Sequence, residues 1–406
     1  MASLTAEAVP PATDPGVAFV STAGRDRPAV DWSPRAMPAP WRRPLASAAW
    51  LVLTAVGTLS LALLLAVVAA IPVLNFYALG VLLDVEGRVA RSGRLRDGFR
   101  LWGVAPRIGG AVLGCWLFLL PLRFLAGYAS DAALISPGGV AAQRLSGVLL
   151  VAAAVVAIHL VGALARGGRF STFLRPIRNL RTLWQILRGG HPIREMGRQS
   201  LAFLRWLEFR RLWWLGLRGY GVGLTWIVLP TLIYVSAEDP RGGAVLIFLL
   251  GWLLLTPVNC WLPLLQANFA AGGRFRDGFR LRTIRRQFNA APWAWLGAIV
   301  MLYVLTLPLH LFRIVLPPAD AAWLVTLVFV VTIFPTRLVL GRAAFQGRLN
   351  AAAGLRAGRL SRWTAKLLLV VLVGAYTATL YLTQYIGTHG RAVLLEQHAF
   401  LLPWPL

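Results

Sequence analysis

Residues 242–281 read GGAVLIFLLGWLLLTPVNCWLPLLQANFAAGGRFRDGFRL, and their reading decides the fold. The first part, 242–273, holds no charged side chain. A bilayer core is about 30 Å thick and takes roughly 20 apolar helical residues to cross, because backbone groups in lipid must bond to one another. The run therefore predicts a membrane-spanning helix, broken near Pro257-Val258 and closed by the basic segment Gly273-Arg274-Phe275-Arg276-Asp277-Gly278-Phe279-Arg280-Leu281.

Moving outward, uncharged runs recur over 44–83, 108–122 (extended past Arg123 to 130), 145–165, 219–237, 287–312, 321–336 and 367–390. Together they predict an all-α integral membrane protein with eight spans. The run 44–83 is twice the length one crossing needs. A turn near residues 71–75 would let residues 75–91 return as a ninth, short crossing. The gaps alternate in charge: 84–107 holds six Arg, 166–218 twelve, 274–286 six, and 337–366 six plus Lys366, whereas 131–144, 238–241 and 313–320 hold one each. Positive-inside asymmetry makes the basic gaps cytoplasmic and points to the inner membrane of a bacterium. Eight crossings would leave the N-terminal arm outside although Arg42 and Arg43 abut the first run; nine would bring it inside.

The nonapeptide at 273–281 has a twin, Gly93-Arg94-Leu95-Arg96-Asp97-Gly98-Phe99-Arg100-Leu101, identical at eight of nine positions. Each copy comes after an apolar helix broken at Pro-Val, at Pro72-Val73 and at Pro257-Val258. Each precedes a span carrying Pro121-Leu122-Arg123 or Pro308-Leu309-His310. The chain thus reads as a disordered Pro/Ala-rich arm (1–43), a first membrane repeat (44–237, with the basic loop 166–218), a second (242–391) and a tail (392–406). With both motifs on the basic side, the repeats are of the parallel type found in some transporters. Asp97 and Asp277 read as structural caps that hold free backbone N–H groups and pair with neighbouring Arg; the alternative is a headgroup or anionic-ligand site.

Composition bounds the function. With 58% hydrophobic and 14% charged residues, the net charge of +26 is confined to loops. Forty of the 41 basic residues are Arg, which fits the codon bias of a GC-rich genome. Cys115 and Cys260 lie in apolar runs and read as small buried hydrophobes. No metal or cofactor motif appears, so no cofactor is expected. Nor does any nucleophile–base or carboxylate constellation appear, which argues against an enzyme.

Polar residues within or beside the spans are few: Arg123, His159, Asn259, Gln266, Asn268, His310 and Gln384, with Asp84 and Glu86 at the edge of the first block. A lone His in a span reads as a helix–helix hydrogen-bonding group or as a proton relay. Arg123 is placed to snorkel from a span end. In the long basic loop, Pro176 starts a helix on which Ile177, Leu180, Trp184 and Leu187 share a face, with Arg175, Arg178, Arg181 and Arg188 as headgroup contacts. Such a helix lies in the interface with its Arg near anionic lipid, or only obeys the positive-inside rule. Its aromatics suit lipid and not nucleic acid. Trp213 and Trp214 fit an aromatic belt.

The stretch Pro72-Val-Leu-Asn-Phe-Tyr-Ala-Leu-Gly80, continued by a basic helix and Arg96-Asp97-Gly98-Phe99, resembles a family of bacterial and archaeal polytopic membrane proteins classed only as a domain of unknown function. The resemblance covers about residues 48–130 and implies a multi-pass fold with no assigned activity. Two functions stand: a non-enzymatic membrane scaffold or envelope-organising protein in contact with the bilayer and its anionic lipids, or a transporter or channel with a pathway between the repeats. Protein partners and oligomeric state, a homo-oligomer included, stay open.

Overall fold

The computed structural model describes residues 37–99, 103–189, 207–236, 242–314 and 322–382, and among them every regular element is helical. Expectations for most of the arm, the tail, the centre of the basic loop, Gln384 and the His310 side chain lie outside the described residues.

The helices are α1 (Pro44–Ala70), α2 (Asn75–Ser92), α3 (Ala105–Ile135), α4 (Val140–Ala165), α5 (Phe170–Phe173), α6 (Pro176–Gly189) and α7 (Phe209–Ser236). They continue as α8 (Ala244–Gly272), α9 (Leu281–Ala290), α10 (Pro292–Ile314), α11 (Ala322–Ala352) and α12 (Arg359–Leu382). Eight of them (α1, α3, α4, α7, α8, α10, α11 and α12) are long and apolar enough to cross a membrane. The chain is an all-α multi-pass membrane protein.

The long first run breaks where the sequence suggests, over residues 71–74, with Val73 held at φ 70°. The helix after this break is not a ninth apolar span. It is α2, which carries Asp84, Glu86, Arg88 and Arg91, and nearly all of its length is buried. It packs against α1, α7, α8 and α11, so protein replaces lipid around it. Close approach to α7 depends on two glycines. A Cβ at Gly80 would lie 1.8 Å from the Leu212 carbonyl oxygen, and one at Gly216 1.8 Å from that of Phe76. Small residues at crossings are how membrane helices gain packing where no hydrophobic drive operates.

The Pro257-Val258 expectation is corrected. Pro257 and Pro263 both sit inside α8, which runs unbroken for 29 residues. A proline removes one N–H donor, and neighbouring helices in a bundle re-satisfy the freed carbonyl. Around α8 lies the main apolar core, built on Trp295, Phe288, Ile299, Phe329 and Leu264.

The twin motifs form matching elbows. Helices α2 and α8 end on Gly93 and Gly273 at φ 71° and 72°, a left-handed C-terminal conformation that glycine adopts without a Cβ penalty. Each then makes a short 3₁₀ turn, Leu95–Gly98 and Phe275–Phe279. The two helix ends lie side by side, since Arg91 donates to the Ala270 and Ala271 carbonyls. The first elbow comes after a broken pair of helices and the second after a single one.

Candidate functional site

On α6 three residues of the predicted stripe are bare, Ile177 at 73% exposed, Leu180 at 62% and Trp184 at 54%, which leaves an apolar face uncovered among the described residues; the Leu187 side chain lies outside them. Arg175, just ahead of the helix, is exposed, as are Arg178, Arg181 and Arg188. The Arg188 guanidinium lies 4.5 Å from the Trp184 ring centroid, so one side chain joins the aromatic to the cationic flank.

The opposite side of α6 is tied to the bundle through Asn179, which is fully buried. Its Nδ2 donates to the Thr172 carbonyl at 2.9 Å and stands 3.5 Å from His159 Nδ1, while its Oδ1 accepts from Arg166 at 2.7 Å. His159 Nε2 donates to the Phe173 carbonyl at 3.0 Å, and Phe118 covers the ring. His159 therefore makes helix-to-helix hydrogen bonds between α4 and the α5–α6 segment. This holds α6 by a polar knob and turns its apolar stripe outward.

A second polar centre lies where α2, α8 and α11 meet. Arg337 Nη1 donates to Glu86 Oε2 at 2.7 Å and to Gln266 Oε1 at 3.1 Å. All three side chains are at most 1% exposed. Glu86 and Gln266 each precede their elbow glycine, Gly93 and Gly273, by the same number of residues, so one arginine grips corresponding positions of the twin motifs.

Beside this centre, Asp84 accepts from Arg88 at 2.7 Å and from Arg211 at 3.0 Å, and Arg211 also pairs with Glu208. The charges of Arg88, Arg211 and Arg348 all bear on Arg91, with Asp84 the opposing carboxylate there. Next to Asp84 opens a cleft of about 220 Å³, walled by α1, α2, α7, α11 and the first elbow and otherwise lined mostly by apolar side chains.

The expected pairing of the elbow aspartates with neighbouring arginine is present: Asp277 lies 3.2 Å from Arg280 and Asp97 4.0 Å from Arg96. The described helices beyond the elbows, α3 and α9, begin without a side-chain cap bond, and residues 100–102, which follow the first elbow, lie outside the described residues. The short 3₁₀ turn closes its first N–H groups on backbone, with Asp97 N–H donating to the Arg94 carbonyl and Asp277 N–H to that of Arg274. Each elbow is clamped from outside: Arg342 donates to the Gly93 carbonyl and Arg218 to that of Gly273.

Of the other predicted residues, Asn259 donates to Thr377 Oγ1 at 3.2 Å and its carbonyl accepts from Tyr303 at 2.7 Å, joining α8, α10 and α12. Arg123 is exposed, and α3 runs on past it to Ile135. Trp213 donates to the Val73 carbonyl at 2.8 Å and so closes the α1–α2 break. By sequence, Arg337 falls in a cytoplasmic gap. The run ahead of it, 321–336, is too short for a crossing, and that shortfall is the signal that the span continues through Arg337.

The class is thus a multi-pass α-helical membrane protein with an exposed amphipathic basic helix and a buried ionic centre. No family model, curated protein or solved structure matches the chain.

Proposed function

We propose that the chain is a non-enzymatic scaffold of a bacterial cytoplasmic membrane that organises anionic lipid along its basic side. The single observation that carries this reading is α6, with a bare apolar stripe, exposed arginines beside it and a buried Asn179 that fixes its roll. An amphipathic helix of this kind lies in the headgroup layer, where each basic side chain contributes about 1 kcal/mol of attraction to an anionic surface. The full chain in nanodiscs of phosphatidylcholine and phosphatidylglycerol tests it. Spin-labelled phosphatidylglycerol should be immobilised in preference to phosphatidylcholine, and the variant Arg175→Gln/Arg178→Gln/Arg181→Gln/Arg188→Gln should lose much of that preference. An unchanged ratio would contradict the reading.

A transporter or channel with a pathway between the repeats is the second reading, and the buried Glu86–Arg337–Gln266 centre favours it. Charges inside a membrane protein are costly and tend to mark ion or substrate routes. Proteoliposomes under a potassium gradient with a voltage-sensitive dye separate the two: current that Glu86→Gln abolishes would support transport, and silence would count against it.

A further inference from the structure

We propose that the arginines gathered where α9, the α11–α12 turn and the start of α12 meet form a seat for the phosphate of an anionic phospholipid, separate from α6. Helix α9 buries Ile284, Gln287 and Phe288 and leaves Arg285 and Arg286 exposed on its other side. Arg286 reaches across to the Ala351 carbonyl at the end of α11, 2.8 Å away. The end of α9 is tied to the same turn: Ala357 N–H donates to the Asn289 carbonyl at 3.0 Å, and Asn350 Nδ2 to that of Ala290 at 3.1 Å. Arg356 and Arg359 flank this tie and are exposed, and Arg362 is half-buried one turn further on. Five cations from three pieces of chain thus lie on one end of the bundle.

No carboxylate balances them. Between residues 281 and 382 the sequence holds one, Asp320, which lies outside the described residues. Among the described residues the ion pairs use Arg88, Arg96, Arg211, Arg280 and Arg337, and none of these five. Arg359 and Arg362 also stand in the first turn of α12, which has no acidic residue, and there the helix dipole disfavours a cation. The cluster therefore costs the fold energy that a bound anion offsets. Its surroundings favour lipid as the source of that anion. Trp293, Leu360 and Trp363 are each more than half exposed, and Trp293 donates to Ser361 Oγ at 2.8 Å, which sets the first turns of α10 and α12 side by side. Both helices are long and apolar enough to cross a membrane, and exposed tryptophan at the start of a span marks the headgroup depth. Further along α12, Leu367, Val370 and Val371 are exposed and give an acyl chain an apolar track. Guanidinium forks match phosphate geometry. An acidic peptide or nucleic acid would match the charge but leave this apolar border in water. The seat shares no residue with α6, so the two readings fail separately.

Site-resolved photolabelling of the full chain in phosphatidylcholine nanodiscs tests it. Trace phosphatidylglycerol or phosphatidylcholine carries the same photoactivatable group beside the glycerol, and the label is mapped by peptide mass spectrometry. Phosphatidylglycerol should label residues 353–368 at least about fivefold more than phosphatidylcholine, the ratio given by one basic side chain at an anionic surface. Arg356→Gln/Arg359→Gln/Arg362→Gln should bring the two lipids level there and leave labelling of α6 unchanged. Arg285→Gln, which removes an exposed side chain, should lower the preference in a chain that folds normally. The fourfold α6 variant should leave it intact. Equal labelling of residues 353–368 by the two lipids in the unmodified chain would overturn the proposal, since the arginines would then only follow the positive-inside rule. So would a preference that survives both arginine variants. Loss of the label to inorganic phosphate or polyglutamate, equimolar with the labelled lipid, would mark a soluble-anion or peptide site and overturn it too.

Discussion

Arg337 shows how a residue's role changes when its helix is longer than the uncharged run that announces it. Read as the first charge of a loop, it should meet water; inside α11 it meets Glu86 and Gln266 in the dry centre. Removing one partner of a buried pair strands the other charge, so Arg337→Ala should lower stability by about 3–5 kcal/mol, read by thermal unfolding in detergent. Neutralising both, as Glu86→Gln/Arg337→Met, should recover much of that loss, because no unpaired ion remains. A double variant no more stable than Arg337→Ala would show that hydrogen-bond shape, not charge pairing, holds this centre. Val73 offers a smaller test. A β-branched residue at φ 70° is strained, and Val73→Gly should raise the melting temperature by a few degrees if relief of about 1–2 kcal/mol exceeds the added freedom of the unfolded chain.

At the scale of elements, the twin motifs predict two like structures, and their backbones agree closely: a left-handed glycine, a 3₁₀ turn and an arginine clamp from elsewhere in the bundle. That part was legible because it depends on local chemistry, on Gly at a positive-φ position and on identical neighbours. How deeply each aspartate is buried was not, because it depends on what packs over each elbow. Asp277 has a side chain 8% exposed and pairs with Arg280, whereas Asp97 is 37% exposed with Arg96 at 4.0 Å. Their alanine variants should therefore be unequal: Asp97→Ala should fall within about 1 kcal/mol of the unmodified chain, as exposed pairs do, and Asp277→Ala should cost about 1–3 kcal/mol through the arginine left half-satisfied. Equal shifts in denaturation midpoint would contradict this difference. The α2–α7 crossing gives a sharper case, since a methyl at Gly80 or Gly216 would overlap backbone atoms that cannot rotate away. Gly80→Ala and Gly216→Ala should each reduce the yield of monodisperse protein severely, whereas Gly147→Ala, which meets open space, should not.

For the whole molecule, the count of apolar helices comes from hydropathy alone, because a span must satisfy its own backbone in lipid. The packing order does not. That α2 would be sheathed by protein and carry the ionic centre could not be read from its own residues, which by composition suit a surface helix as well. The central claim is that the basic elements share one side of the membrane, where α6 and the elbows can meet the same anionic leaflet. Single cysteines at Arg96, Arg188, Arg276 and Arg356, all on exposed positions, test this most directly in a chain whose Cys115 and Cys260 have been replaced. A membrane-impermeant maleimide added to intact cells should leave all four unmodified and label all four after permeabilisation. Labelling of any one of them from outside intact cells would contradict the account.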